Sequence, residues 1–313
     1  MTPFVVSLLV LTIASISYVA WVITVQRRLV RHLREVSDVT DAIVKGAVKG
    51  HINLPPSAHS DVRRVAESVN NLAEKASKDI SEMRRLERVR SEFIGNVSHE
   101  LRTPIFSVQG YLETLLDGAV DDPAVSRQFL EKAYSNALRL NTLLSDLIDI
   151  SRIESGELRL SFRYFDMAEL MRDVVHILEL RAEQRNVSVI VDPQTPDSIT
   201  VYGDKERLTQ VLTNLIDNAI KYNVPGGTVT VGAVPEGKNV RCSITDTGIG
   251  IPEEHLSRIF ERFYRVDKDR SRTVGGTGLG LAIVKHILEA HQAPVRVTSE
   301  AGKGTRVKFE LKG

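Results

Sequence analysis

Phe4 to Val25 is a run of 22 residues without a single charge, and nothing else in the chain constrains its fold as strongly. At 1.5 Å per residue such a run makes a helix about 33 Å long, enough to cross the hydrocarbon of a bilayer. Residues 4–25 are therefore read as a transmembrane helix. A cleaved signal peptide fits less well, because Met1-Thr2-Pro3 carries no basic residue and the run is too long for an h-region. Arg27, Arg28, Arg31 and Arg34 follow at once, with Tyr18 and Trp21 near the same end. The positive-inside rule then puts everything after Val25 on the cytoplasmic side of a single-pass protein of the cell membrane. On this reading only Met1 to Pro3 lie outside, with no second span and no extracytoplasmic domain. A stimulus then has to arrive through the bilayer, the cytoplasmic side or a membrane-protein partner packed on Ser7, Thr12, Ser15 and Ser17.

Across its 313 residues the chain is 42% hydrophobic and 26% charged, which leaves room for two or three folded units. The formal charge of +1 carries no nucleic-acid signal. Cys242 is the single cysteine, so there is no intramolecular disulfide, and the alternation Val240-Cys242-Ile244 reads as the buried face of a strand. Between residues 27 and 80 two apolar stripes have heptad spacing: Leu29, Leu33, Val36, Thr40, Ile43, Ala47, and then Val62, Val65, Val69, Leu72, Ala76. Gly50 and Pro55-Pro56 separate them. The steps 72-76-80 are a stutter, expected to unwind a coiled coil locally.

Residues 81–156 hold the block Phe93-Ile94-Gly95-Asn96-Val97-Ser98-His99-Glu100-Leu101-Arg102-Thr103-Pro104 inside a helical pattern. An exposed imidazole with a carboxylate beside it, Glu100, and with Arg102 and Thr103 within a turn, has the parts of a nucleophile: a nitrogen to attack and a group to orient it or take its proton. Pro104 is expected to kink this helix. The stretch Asp117 to Pro123 reads as a turn, and a second amphipathic helix follows through Phe129, Ala133, Leu140, Leu147 and Ile153. Both helices are too apolar to stand alone as a hairpin, so two copies are expected to pair as a four-helix bundle, making the protein a homodimer.

From residue 158 to 313 the period changes. Alternating runs at Leu160-Phe162-Tyr164, Val187-Val189-Val191, Thr228 to Val231, Arg241 to Ile244, Val295-Val297 and Val307-Phe309-Leu311, interleaved with helical stretches, predict an α/β sandwich. Between Lys205 and Tyr222 a core stripe of Leu208, Val211, Leu212, Leu215 and Ala219 runs beside Asn214, Asn218 and Lys221. Two amides and an ammonium on one face suit Mg²⁺ and phosphate oxygens. Asp246-Thr247-Gly248-Ile249-Gly250-Ile251-Pro252 comes straight off a strand, placing the carboxylate at the sheet edge, with glycines that allow close approach of a ligand. Gly275-Gly276-Thr277-Gly278-Leu279-Gly280-Leu281 precedes an apolar helix whose first N–H groups can hold phosphate. The stretch from Phe260 to Arg272 reads as a basic lid in which Arg265 is the expected phosphate contact. No P-loop motif occurs.

Taken together in this order, the blocks around His99, Asn214 to Tyr222, Asp246 to Pro252 and Gly275 to Leu281 resemble the sensor histidine kinases of two-component signalling, of the type pairing a HisKA with a HATPase_c domain and within it the phosphate-sensor, PhoR-like class. The resemblance covers about two-thirds of the chain. It implies that residues 81–156 are the dimerisation and phosphotransfer domain, and that residues 158–313 are the ATP-binding domain of the Bergerat (GHKL) fold shared with gyrase and the chaperone Hsp90. Residues 27–80 resemble a HAMP relay, through Gly50 to Leu54 and Ser60 to Asn70. By the same resemblance His99 is the phosphoacceptor, Asn218 with Asn214 holds the Mg²⁺ that bridges the phosphates of ATP, Lys221 and Tyr222 touch the nucleotide, and Asp246 accepts the adenine amino group. Gly248, Gly250, Arg265, Gly276, Thr277, Gly278, Leu279 and Gly280 complete the expected nucleotide site. The implied activity is autophosphorylation of His99, then transfer to an aspartate of a response regulator, with Thr103 orienting water in a phosphatase reaction on that partner. The competing readings are an ATP-driven clamp or chaperone of the gyrase and Hsp90 kind, and a membrane scaffold with an inactive kinase domain.

Overall fold

The computed structural model describes residues 3–44, 52–56, 60–157, 159–267 and 277–313. Gly276, the stretch from Lys268 to Arg272, and Gly50 therefore lie outside the described residues. Two units are distinguished, Met1–Glu92 and Phe93–Gly313.

In the first unit helix α1 runs over Pro3–Val44, and helix α2, Ser60–Leu116, begins in this unit and continues into the second. The segment Leu8–Asp41 is the one stretch among the described residues long and apolar enough to cross a membrane. The Thr12 hydroxyl donates to the Leu9 carbonyl at 2.9 Å, so it is satisfied within its own helix. After the break, Val36, Ile52 and Ala66 close a small core with Val39, Leu54 and Val69. Asn70 brackets Ile52 from both sides: its Oδ1 accepts from the Ile52 N–H at 2.8 Å and its Nδ2 donates to the Ile52 carbonyl at 3.0 Å. The stripe buried here on α2 is Val62, Ala66 and Ala73, whereas Val65 and Leu72 of the heptad pattern stay exposed.

In the second unit the helical part comprises the end of α2, a 3-10 turn at Ala119–Asp121, and helix α3, Pro123–Glu154. Asp122 caps α3, accepting from the Ala124 N–H, and Pro123 fills the first helical position, where a missing N–H costs nothing. Pro104 lies inside α2, which is helical on both sides of it.

The remainder is an α/β sandwich. In chain order it comprises β1 (Arg163–Asp166), α4 (Met167–Gln184), β2 (Ser188–Val191), β3 (Thr200–Gly203), α5 (Lys205–Lys221), β4 (Thr228–Glu236), β5 (Asn239–Asp246), the short α6 (Glu253–Leu256), α7 (Gly280–Ala290), β6 (Arg296–Glu300) and β7 (Gly304–Lys312). The seven strands form one sheet in the order β1-β3-β7-β5-β4-β2, with β6 on β7; β2 and β4 are parallel and the other pairs antiparallel. One face of β4 and β5 carries Val229, Val231, Ala233, Val240, Cys242 and Ile244, all buried in the same core as the apolar faces of α4, α5 and α7. Burial pushes the Cys242 thiol far above its ordinary pKa, leaving an inert core residue. Leu143 and Ile150 of α3 belong to this core too, with Phe93, Leu101 and Leu147 packed against it.

Polar ties fix the ends of the elements. His291 accepts from the Asp204 N–H at 3.0 Å through Nε2, while Nδ1 meets the Ile287 carbonyl at 2.8 Å, an arrangement that requires the neutral ring. Asp204 in turn caps α5 through the Arg207 N–H and accepts from the Ser161 N–H at 2.8 Å. That last bond explains why β1 starts at Arg163 rather than at Leu160: Ser161 donates to a carboxylate instead of a ladder, and the Phe162 ring turns onto Tyr202 and His291.

Candidate active site

His99 sits exposed on α2. The hydroxyls around it are taken up by their own helix: Ser98 donates to the Ile94 carbonyl at 2.9 Å and Thr103 to the His99 carbonyl at 3.3 Å. Glu100 is half-buried and directed toward α3, where its carboxylate lies 3.5 Å from the Arg139 guanidinium. Arg139 is thus a neighbour that sequence spacing had not marked.

Helix α5 carries the polar edge expected of it. Leu208, Val211, Leu212, Leu215 and Ala219 are buried, and so are Ile216 and Ile220, because α4 and α7 cover more of the helix than one stripe. Asn214 and Asn218 are half-buried beside that core. The Asn214 amide Nδ2 donates to the Gly280 carbonyl at 3.4 Å, tying α5 to the start of α7. Lys221 Nζ lies 3.3 Å from Asp217, whose other oxygen meets Arg181 of α4, and Arg185 donates to the Lys221 carbonyl at 3.1 Å. The Asp217–Lys221 pair has the i, i+4 spacing readable from sequence; the two arginines come from a helix some 36 residues away and are not.

Asp246 is the last residue of β5, and β5 lies between β7 and β4, so its carboxylate stands at the end of an interior strand and not at the sheet edge. Its Oδ1 accepts from the Gly248 N–H at 2.8 Å and the Thr305 N–H at 3.2 Å; among the described residues Oδ2 has no hydrogen-bond partner. Burial raises the pKa of this carboxyl above its ordinary value, against the lowering effect of those two donors.

On the side where a side chain would stand, the glycines of this loop are closed in by the protein's own backbone. A Cβ on Gly248 would stand 2.5 Å from the Tyr222 carbonyl oxygen, and one on Gly250, where φ is +66°, only 2.0 Å from the Glu300 carbonyl oxygen. Gly250→Ala is accordingly expected to lower the stability of the α/β sandwich by at least about 2 kcal/mol, as bulk at a left-handed, close-packed position does. A thermal melt indistinguishable from wild type would show that the loop can move aside.

At the other end, Thr277 Oγ1 accepts from the Leu279 N–H at 3.2 Å just before α7, and Gly278, at φ +70°, presses on the Phe263 backbone and accepts its N–H at 2.9 Å. Phe263 itself has φ +59°, a strained value for an aromatic residue, and its ring lies 5.7 Å from that of Phe93 on α2. Arg265 is half-buried, and the Tyr222 ring is partly exposed beside the Ile249 N–H bond to the Tyr222 carbonyl. The Asp246 loop thus abuts α5 at Tyr222 and the start of α7 abuts it at Asn214, two helical turns or about 12 Å apart. Along this stretch lie an acceptor carboxylate at one end, the Asn214 amide and a helix N-terminus at the other, and the Asn218 amide and Lys221 ammonium on α5, which is what a purine nucleotide with a polyphosphate tail calls for.

Comparison with known families agrees. Residues 203–313 match the histidine kinase-, DNA gyrase B- and HSP90-like ATPase family, and residues 89–156 match the His Kinase A phospho-acceptor domain. The sensor-like histidine kinase SenX3 of Mycolicibacterium smegmatis is 37% identical over 255 residues, covering 82% of this chain and 66% of its own. The phosphate regulon sensor protein PhoR of Pseudomonas aeruginosa is 35% identical over 228 residues, covering 73% of this chain and 51% of its own. Among solved structures, the Acinetobacter baumannii histidine kinase AdeS aligns at TM-score 0.55 and 30% identity, over 68% of this chain and 97% of that one. Histidine kinase ThkA in complex with response regulator protein TrrA aligns at TM-score 0.57 and 25% identity, over 76% of this chain and 66% of that one. The chain belongs to the sensor histidine kinases. It spans 66% of the length of SenX3 and 51% of that of PhoR.

Proposed function

We propose that the chain is a membrane-bound protein-histidine kinase that phosphorylates His99 from ATP and passes the phosphoryl group to an aspartate of a response regulator. The observation that carries this is the pairing, within one unit, of an exposed imidazole on α2 with nucleotide-suited groups ranged along α5 from Asp246 to the start of α7. In the reaction a ring nitrogen of His99 attacks the γ-phosphorus, the N–P bond forms and the bond to the β-γ bridging oxygen breaks, with ADP leaving. Such transfer depends on positioning and on neutralising charge rather than on covalent help from the protein. Asp246 fixes the adenine, and Lys221, Thr277, Arg265 and the first turn of α7 receive the phosphates. Glu100, anchored on Arg139, sits next to His99 in the chain to hold the ring's tautomer and take its proton.

The donor set also fits Mg²⁺ arriving with the phosphates. Asn214 and Asn218 offer amide oxygens one turn apart, and among the described residues no cluster of three His, Cys, Asp or Glu side chains would hold a cation alone. Held there, Mg²⁺ would supply charge neutralisation to the phosphates.

The paired state is a homodimer with a four-helix bundle from α2 and α3 of two copies. Ile105, Phe106, Leu112, Leu138, Leu144 and Ile148 are all at least 40% exposed, more apolar helix surface than a lone hairpin sustains. A HAMP-like relay in residues 27–80 is supported by the Asn70 bracket on Ile52 and by the exposed Val65 and Leu72, which await a second copy. The apolar helix supports a single-pass anchor with the kinase on the cytoplasmic side.

The test is to incubate the purified full chain in membranes with Mg²⁺ and γ-³²P-ATP, then add a panel of response-regulator receiver domains. Rapid transfer of acid-labile label to one of them supports the reading; ATP hydrolysis with no labelled protein supports the clamp instead. A phosphatase activity on the same partner is proposed for Thr103, whose bond to the His99 carbonyl is long and exposed and so easily exchanged for water. Thr103→Ala is expected to slow dephosphorylation of the regulator about tenfold or more while sparing autophosphorylation. Dephosphorylation at the wild-type rate assigns the water elsewhere.

A further inference from the structure

Helix α3 brings one carboxylate to the phosphate end of the nucleotide cleft. Asp146 Oδ2 accepts a hydrogen bond from the Thr277 hydroxyl at 2.9 Å, and that hydroxyl oxygen accepts the Leu279 N–H at the start of α7. Burial raises the pKa of Asp146, with Asp149 adding to the rise, while the Thr277 hydroxyl and the nearby Lys221 charge pull it back down. One turn on, Asp149 is fastened to α5 by the Arg207 guanidinium at 2.9 Å and the Gln210 amide at 2.7 Å. Leu143 and Ile150, on the same face of α3, are buried in the ATPase core. This face of α3 is therefore seated on α5 and α7, and the seating delivers an anion to the hydroxyl, the ammonium and the helix N-terminus that suit a polyphosphate.

We infer that Asp146 is an intramolecular competitor of the nucleotide's phosphates, so that the seated α3 holds down ATP affinity until it disengages. The inference rests on the ATP reading of the cleft. A carboxylate and a phosphate oxygen cannot both take the Thr277 hydroxyl, and two anions at one helix N-terminus repel. The competition is specific to phosphates: a nucleoside occupying only the Asp246 end does not meet Asp146.

The test measures binding of the non-hydrolysable analogue AMPPNP with Mg²⁺, and of adenosine, to the full chain in membranes, for wild type, Asp146→Asn and Asp146→Ala. Both variants are expected to bind AMPPNP about threefold to tenfold more tightly, as follows from removing one half-buried charge in each and, in Asp146→Ala, the acceptor of the Thr277 hydroxyl as well, with adenosine affinity unchanged. AMPPNP affinity that stays the same or weakens in both variants overturns the inference, as does an equal gain for adenosine, which marks a purely structural effect. If wild type binds neither ligand, the ATP reading itself fails and the inference goes with it.

Discussion

A chain carrying His99→Gln is expected to incorporate no acid-labile phosphoryl group from Mg²⁺-ATP while binding nucleotide as wild type does. The imidazole is exposed on α2, and among the described residues no side chain is bonded to it, so the exchange removes only a nucleophile. An exposed substitution of this kind shifts stability by about 0.5 kcal/mol or less. The groups proposed to hold the nucleotide on α5, β5 and α7 are in other elements and are untouched. Labelling and nucleotide binding should therefore separate completely in this variant. Label persisting at the wild-type level would move the phosphoacceptor to another residue.

Asp246→Asn is expected to be as stable as wild type and to lose nucleotide. The amide can keep its Oδ1 on the Gly248 and Thr305 N–H groups, but it then presents an N–H donor where the carboxylate presented Oδ2 as acceptor. A donor facing an amino group cannot pair. A hydrogen bond to a charged acceptor is worth about 1.5–3 kcal/mol, so affinity for ATP should fall about 10- to 150-fold. The pH dependence follows from the raised pKa of Asp246. Burial favours the protonated carboxyl, so the stability gained from its proton is complete below the ordinary carboxylate range and is lost as pH rises through the raised value. The variant, uncharged throughout, should thus match or exceed wild-type stability at neutral pH, with the gap closing in acid. Wild-type nucleotide binding should weaken as pH drops through that same raised value. Binding isotherms and melts across pH check both; undiminished ATP affinity in the variant would contradict the assignment.

Much of this arrangement was legible in the residues themselves, and what was hidden has a physical reason. The core stripe of α5, the strands β4, β5 and β7 and the uncharged run at the N-terminus each repeat a period long enough to read. Strand β3 was missed because it is four residues long and one of its two inward positions is Gly203, which carries no hydrophobic signal. Val62 of the predicted stripe is buried, but its buried neighbours Ala66 and Ala73 were masked by the stronger apolar signal of Val65 and Leu72, which remain exposed. Asp146 and Asp149 occupy polar positions of an amphipathic helix, where no local pattern singles them out; only the seating of α3 on α5 and α7 gives them partners. At Gly248 and Gly250 the sequence does not show that a side chain would meet Tyr222 and Glu300, because both lie far away in sequence. Residue type suggests the chemistry proposed for the site, and long-range packing decides which atoms are left for it.

The central claim is that His99 carries the phosphoryl group. Its most direct measurement is to label the wild-type chain with Mg²⁺-ATP and locate the modification by mass spectrometry under conditions that preserve N–P bonds, following its lability in acid and base. The account predicts one phosphoryl group on His99, lost in acid and kept in alkali. ATP turnover with His99 unmodified, or an acid-stable phosphate on a hydroxyl residue, would contradict it.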